Sequence, residues 1–153
     1  MKTHWKKWGA ACALAVVSAA SSLAHAQLLV GQTVGITGSA AATVKESMLG
    51  ASLYLDHVNA RGGVNGQKIE LVTLDDKFDP KLTQDNARTL IEDKGVLALF
   101  MTRGTPHTQG IVALLDKYGV PLVGPSTGAM ALHQPVSRNI FNVRAPYQRE
   151  VEK

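Results

Sequence analysis

The chain of 153 residues carries sixteen Lys and Arg against twelve Asp and Glu, a formal net charge of +4. Three of the bases are Lys2, Lys6 and Lys7, so the rest of the chain has thirteen bases and twelve acids, a near-neutral balance that argues against nucleic-acid binding. The single cysteine, Cys12, also lies near the N-terminus, which excludes disulfide and thiol chemistry from the rest of the chain.

The first 26 residues have the composition of a secretory signal peptide. The lysines precede a short apolar run at residues 9–20, and Ala24 and Ala26 place small residues at the positions that determine cleavage. A retained N-terminal anchor is the less favoured alternative, because the run is shorter than the roughly 20 apolar residues that span a membrane. We expect cleavage before Gln27 and export of the remainder.

The first strand and helix are predicted directly after this segment. Residues 28–36, LLVGQTVGI, are apolar and β-branched, as in a buried strand, and a loop of small residues follows at 37–43. Thr43 and Glu46 match a capping box that opens a helix. The predicted buried face of this helix has apolar residues at helical spacing: Val44, Met48, Ala51, Leu55 and Val58. The glycines in NARGGVNG, residues 59–66, end it.

The strand–helix unit then repeats. Residues 68–74 predict a second strand, and Asp79 and Pro80 suit the N-cap and first position of a helix that runs to about Asp93. Residues 96–101 predict the third strand.

Thr105 and Pro106 repeat the pattern of a cap followed by proline. The helix that they open is lined by apolar residues: Ile111, Leu114, Leu115 and Tyr118. The remaining predicted elements are a strand at 120–124, a short helix at 130–133, a strand at 139–143 and a helix opened by Pro146.

This alternation predicts an α/β fold with a doubly wound parallel sheet and helices on both faces. Right-handed crossovers favour the strand order 2-1-3-4-5, in which a ligand binds at the carboxyl ends of the strands, between the first and the third. The loops at that point are residues 37–43, 102–107 and 125–129.

The loop RGTPHT offers groups that bind an anion. The Thr105 hydroxyl and the free N–H groups of the following helix favour a carboxylate or a phosphate. No P-loop or dinucleotide glycine signature is present, so a carboxylate is favoured. In the same loop, Arg103 could pair with an anionic ligand and His107 could contact it. The alternatives remain open: Thr105 only caps its own helix, Arg103 is an exposed arginine at a strand end, and His107 has no ligand contact.

The segment GPSTG, residues 124–128, matches the nucleophile elbow of serine hydrolases. That mechanism requires an acid and then a histidine later in the chain, and no acid lies between Ser126 and His133. A small secreted hydrolase is therefore the weakest hypothesis. We interpret Ser126, Thr127 and Gly128 as a second ligand-binding loop, and we expect that the protein is not an enzyme.

The carboxylates of DDKFD, residues 75–79, lack the spacing of a calcium loop. A solvated loop with a helix cap is the favoured interpretation. The histidines at 57, 107 and 133 lack zinc spacing, so the sequence predicts neither a metal nor another cofactor.

Five segments together resemble the periplasmic binding proteins for branched-chain amino acids, the type I substrate-binding components of ABC importers. They are VGITGSAA, NARGGVNGQKIELVTLDDKFDP, GTPHTQ, GVPLVGPSTGA and NIFNVR, in that order, and the resemblance covers residues 28–149. It implies two α/β lobes joined by a hinge, a small amino acid or similar carboxylate bound between them, and a permease as partner in the membrane.

The resemblance also divides the chain. Residues 1–26 are the signal peptide, 27–146 the first ligand-binding lobe, and 147–153 the start of the crossover to a second lobe. The implied ligand contacts are Thr105, Ser126, Thr127 and Gly128, with Arg103 as a charged addition that is not typical of amino-acid pockets. Gly128 stands where some members carry a threonine, so only its N–H is available.

Members of this family are more than twice as long, so we expect a truncated form whose binding is weak or absent. The alternative function is a periplasmic sensory domain that reports a ligand to a receptor or regulator.

Overall fold

The computed structural model describes residues 27–152, so the predicted signal peptide lies outside the described part. Within it, five strands form one sheet: β1 Leu28–Val34, β2 Ile69–Asp75, β3 Ala98–Phe100, β4 Leu122–Val123 and β5 Ile140–Phe141. The α-helices of the same residues are α1 Ala41–Ala60, α2 Pro80–Arg88, α3 Thr105–Tyr118 and α4 Tyr147–Val151. A π-helical turn, Thr89–Asp93, continues α2, and a short 3-10 turn, Met130–Leu132, follows β4.

The strand order is β2-β1-β3-β4-β5, and each neighbouring pair is parallel. The predicted α/β class and strand order are therefore confirmed. Val34, at the end of β1, pairs with Asp75, at the end of β2. The loops that follow the parallel strands therefore lie at one edge of the sheet. The topological switch point, where the strand order reverses, lies between β1 and β3.

One face of the sheet carries the main hydrophobic core. Helices α2 and α3 pack against it and bury ten residues in one cluster: Ala87, Leu90, Ile91, Val96, Leu99, Ile111, Leu115, Leu122, Leu132 and Ile140. Each large aliphatic side chain stabilises the fold by about 1.5–3 kcal/mol when it is fully buried. The α2–α3 face carries the larger of the two buried clusters.

The opposite face is less completely covered. Side chains alternate along a strand, so Val30 and Phe100 point away from the main core. Leu55 of α1 lies beside them, along an apolar groove of ≈ 190 Å³. On the described part of the chain, no helix is long and apolar enough to cross a membrane.

The helix starts agree with the predictions at α2 but not at α1. The Asp79 carboxylate accepts the N–H groups of Lys81, at 2.7 Å, and Leu82, at 3.4 Å, as an N-cap does. The capping box at Thr43 is wrong: the N-cap of α1 is Ala40, three residues earlier, and no side chain within residues 27–152 caps the helix. Thr43 is already inside the first turn, where its hydroxyl donates to Ala40 O at 3.0 Å.

The end of α1 is tied to the start of β2 by Asn59. Its side-chain amide donates to Ile69 O and accepts from Ile69 N, both at 2.8 Å. Gly63 makes the turn between them with φ +73, and a Cβ at this position would lie 2.0 Å from Gln67 O. The turn therefore requires glycine, as the NARGGVNG pattern predicts.

Candidate ligand-binding site

The loops after β1, β3 and β4 meet at the carboxyl edge of the sheet. The N–H of Ser126 donates to Thr102 O at 2.7 Å, and Arg103 and Ser126 form a parallel bridge beyond the ends of β3 and β4. A shallow depression lies next to this bridge, lined by Val34, Val44, Ser47, Met101, Arg103 and Ser126. The structure therefore brings the loop residues after β3 and β4 together beside the end of β1 and the first half of α1.

Three hydroxyl groups form a chain across this edge. Thr105 Oγ1 lies 2.7 Å from Thr127 Oγ1, which lies 3.2 Å from the hydroxyl of Tyr147. Thr127 Oγ1 also accepts the N–H of Ala129 at 3.3 Å. The contact with Thr127 is the main cause that lowers the pKa of the Tyr147 phenol. The buried Thr127 hydroxyl thus holds the two more exposed ones, Thr105 and Tyr147, in place.

The start of α3 presents helix N–H groups at the same edge, those of Thr105 and His107, since Pro106 has none. Its N-cap is Gly104, with φ 96 and without a side-chain cap. The prediction that Thr105 caps this helix is wrong, because Thr105 is the first helical residue and its hydroxyl bonds Thr127 instead. The first N–H groups of a helix have no partner within it and attract negative charge. This end of α3 is therefore suited to a carboxylate.

Gly104 is required by its neighbour. A Cβ at Gly104 would lie 2.6 Å from Nδ1 of His107, in a conformation with φ +96. The close approach of His107 therefore disfavours a side chain at Gly104, the N-cap residue of α3.

His107 lies under the loops, not in the open cleft. Its side chain is 2% exposed, and its ring stacks on Phe78 with 4.4 Å between ring centroids. Among residues 27–152, neither ring nitrogen has a hydrogen-bond partner. The ring packs as an aromatic spacer between the start of α3 and the loop after β2.

Arg103 is half-buried and close to Ser126. Its Nη1 donates to Ser126 Oγ at 3.4 Å, a long hydrogen bond. The ion pairs within residues 27–152 are Arg88–Asp85, Arg88–Glu92 and Arg144–Glu150, so Arg103 has no carboxylate partner there. A cationic side chain therefore borders the depression without a counter-charge.

Gly128 is covered by the segment that begins α4. Its carbonyl accepts the N–H of Tyr147 at 2.8 Å. A Cβ on Gly128 would lie 2.6 Å from Ala145 O and 2.8 Å from Cδ1 of Tyr147. Glycine at this position thus allows residues 145–147 to pack directly on the loop after β4.

Tyr147 is a site residue that the sequence does not reveal. Pro146 predicts the helix start, but nothing in the local pattern relates an aromatic residue there to Thr127, twenty residues earlier. The guanidinium of Arg144 lies 5.0 Å from the centre of the Tyr147 ring and forms an ion pair with Glu150 at 2.6 Å. These contacts fix the ring over the hydroxyl chain.

Two aspartates at the end of β2 hold the surrounding segments: Asp75 binds the loop after β1, and Asp76 binds β1 and α2. The Asp75 carboxylate accepts the N–H of Ile36 at 2.9 Å and the hydroxyl of Thr37 at 2.6 Å. Asp76 is fully buried and accepts the hydroxyls of Thr33, at 3.2 Å, and Thr83, at 2.9 Å. The interpretation of DDKFD as a solvated loop is therefore wrong for Asp76. The sequence does carry an indication of this role, because these carboxylates lie at the end of a strand on the edge where the binding loops meet.

Comparisons with known proteins identify the same fold and family. The family model described as periplasmic binding protein matches residues 27–153. A Leu/Ile/Val-binding protein homolog 8 of Brucella suis is 34% identical over 113 residues, which are 74% of this chain and 28% of the relative. An amino acid binding protein of Pseudomonas aeruginosa is 29% identical over 126 residues, 82% of this chain and 34% of that protein.

Solved structures agree with these relatives. A possible leucine/isoleucine/valine-binding protein from Rhodopirellula baltica superposes with a TM-score of 0.79 at 27% identity, over 86% of this chain and 35% of that one. The branched-chain amino acid transporter substrate binding protein LivJ from Streptococcus pneumoniae, in complex with isoleucine, superposes with a TM-score of 0.74 at 28% identity. The match covers 79% of this chain and 34% of that one. The chain spans about a third of the length of these proteins.

The strand order, the loops at the carboxyl edge and the family match over residues 27–153 agree with one another. The chain belongs to the periplasmic binding protein family.

Proposed function

We propose that this chain belongs to the solute-binding component of an ABC importer, exported to the periplasm by residues 1–26. It binds a branched-chain amino acid, or a related small amino acid or amide, in a cleft that a second lobe closes. Binding is noncovalent and the protein is not an enzyme. Its partner in the membrane is the permease of the importer.

One observation carries this proposal: the uncapped start of α3 lies beside a chain of hydroxyl groups. Gly104 leaves the first N–H groups of α3 without a side-chain partner, and Thr105 Oγ1 lies at the same point. An amino acid's carboxylate fits this combination because helix N-termini and hydroxyls both donate to it. The names of the relatives, which include leucine-, isoleucine- and valine-binding proteins, support an amino acid as the ligand.

The five residues assigned to the ligand have different roles in this proposal. Thr105 donates its hydroxyl and N–H to the carboxylate, and the loop of Ser126 and Gly128 borders the same space. Thr127 acts through Thr105, because its side chain is 0% exposed. Arg103 contributes the only charge among the residues that line the depression.

The test is a titration of the ¹⁵N-labelled full chain with leucine, isoleucine and valine, followed by NMR so that millimolar affinities are measurable. We expect shifts of the amides in the first turn of α3 and in residues 126–128. Thr105→Val should weaken binding at least about tenfold through loss of a hydrogen bond to a charged group, and Thr105→Ser, which keeps the hydroxyl, should restore it. The proposal is wrong if none of the three amino acids shifts these amides.

A further inference from the structure

Arg103 has an unusual environment for a charged side chain. It is half-buried, and three of the other five residues that line its depression are apolar: Val34, Val44 and Met101. Val34 and Val44 are 0% and 1% exposed, so the lining of the depression beside Arg103 includes well-packed apolar side chains. Such surroundings make an uncompensated charge costly.

The donors of Arg103 are almost unused. A guanidinium has five N–H donors, and the described contacts of this side chain are limited to one long hydrogen bond, to Ser126 at 3.4 Å. None of the residues that line the depression is acidic, and no ion pair within residues 27–152 includes Arg103. The planar fork of the guanidinium is suited to a carboxylate bound through two parallel hydrogen bonds.

Two hydroxyl groups border the same space. Ser47 on α1 and Ser126 on the loop after β4 also line the depression. The Ser47 hydroxyl already donates to Thr43 O at 3.0 Å, and the depression has no room for a water molecule. A carboxylate would therefore lie outside it, in the cleft, and accept from the guanidinium and the Ser126 hydroxyl. Arg103 also precedes Thr105 by two residues, so the depression adjoins the start of α3, where the proposed function places the ligand's first carboxylate.

We propose that Arg103 determines the class of ligand: the cleft binds an amino acid or carboxylic acid with a second acidic group, such as glutamate. One carboxylate binds at the start of α3 and the second pairs with Arg103. This inference rests on the carboxylate site of the proposed function, and it changes the favoured ligand side chain from apolar to acidic. A neutral apolar side chain, as in leucine, leaves the guanidinium uncompensated, so such amino acids bind more weakly.

The test compares glutamate with glutamine, which has nearly the same shape but no side-chain charge. The ¹⁵N-labelled full chain is titrated by NMR with each of them and with leucine, while the Nε–Hε resonance of Arg103 is followed. We expect glutamate to bind at least about tenfold more tightly than glutamine and to shift this resonance, as a charge-assisted hydrogen bond predicts.

Variants separate a ligand contact from a structural role. Arg103→Gln should abolish the preference for glutamate over glutamine, and Arg103→Lys, which keeps the charge without the fork, should give an intermediate preference. Arg138→Gln removes an exposed arginine elsewhere and should preserve the preference of the unaltered chain. If an Arg103 variant does not fold, the ratio of the glutamate and glutamine affinities in the unaltered chain still tests the inference.

Three other results would each contradict the inference. If leucine or glutamine binds as tightly as glutamate, Arg103 does not select the ligand, while the proposed function stands. An equal loss of affinity for all three ligands in Arg103→Gln would mean that Arg103 holds the loops in place and does not contact the ligand. If none of the three binds, both the inference and the proposed function are wrong.

Discussion

The hydroxyls of Thr105 and Thr127 lie 2.7 Å apart and join the first turn of α3 to the loop after β4. Thr127 is fully buried and Thr105 is half-buried, so the pair has an inner and an outer member. The inner hydroxyl also contacts Tyr147 and Ala129 N. The position of the outer hydroxyl, which we assign to the ligand, therefore depends on the inner one.

Thr127→Val should destabilise the protein by about 1 kcal/mol, because the substitution keeps the shape but removes the part-buried hydrogen bonds to Thr105, Tyr147 and Ala129 N. Urea denaturation measures the free energy of unfolding. Thr127→Ser is the matched control, since it keeps the hydroxyl, and it should recover most of the loss. Equal stability of the valine variant and the unaltered chain would mean that the hydroxyl chain contributes nothing.

Gly128→Ala should destabilise the protein by about 1–3 kcal/mol through overpacking. The added Cβ would lie 2.6 Å from Ala145 O, so residues 145–147 must move away from the loop after β4. Gly50→Ala is the control, because nothing lies within 4 Å of a Cβ at that exposed position of α1. It should stabilise the protein by up to about 1 kcal/mol. Thermal or urea denaturation of both variants measures the difference, and equal effects would contradict this packing.

Asp76→Asn should cost about 1–3 kcal/mol, because an amide cannot accept all the hydrogen bonds that the buried carboxylate accepts from Thr33, Thr83 and Phe78 N. Asp79→Asn carries the same chemical change at an exposed N-cap, where asparagine caps as well as aspartate. Its effect should stay below about 0.5 kcal/mol. The prediction fails if urea denaturation gives similar losses for the two variants.

Asp75 should make stability depend on pH in the acid range. The hydrogen bond from the Thr37 hydroxyl is the main cause that lowers the pKa of the Asp75 carboxyl below its ordinary value of 3.8. Because the folded-state pKa is depressed, this stabilisation is fully present above pH 3.8 and is lost as the pH falls from there through the folded-state pKa.

Thr37→Val tests this cause. We expect the variant to raise the pKa of Asp75 towards its ordinary value, as measured by a ¹³C NMR titration of the carboxyl carbon. Asp75→Asn should flatten the dependence of the unfolding free energy on pH below 3.8. An unchanged pKa in Thr37→Val would assign the shift to the backbone N–H groups instead.

The fold follows from short-range patterns. Alternating apolar segments with short connections fix the order of elements, and right-handed crossovers leave few arrangements for parallel strands. The sequence therefore predicts the sheet order and the edge where the loops meet. Asp79 and Pro80 are predicted correctly as a helix start because an N-cap bonds to residues two and three positions later.

The partners of the site residues depend on longer separations. Thr105 has the local pattern of a helix cap, but its hydroxyl bonds a residue 22 positions away. Asp76 is buried because it accepts from Thr33, 43 positions earlier. Neither contact produces a local sequence pattern. The sequence therefore places these residues at the correct edge of the sheet but does not predict their hydrogen-bond partners.

The most direct test of the central claim compares leucine with leucinamide, which lacks the carboxylate. The account predicts that leucine shifts the amide resonances of Thr105 and His107 in the ¹⁵N-labelled full chain and that leucinamide does not. Equal shifts with both compounds, or shifts confined to other parts of the chain, would contradict a carboxylate site at the start of α3.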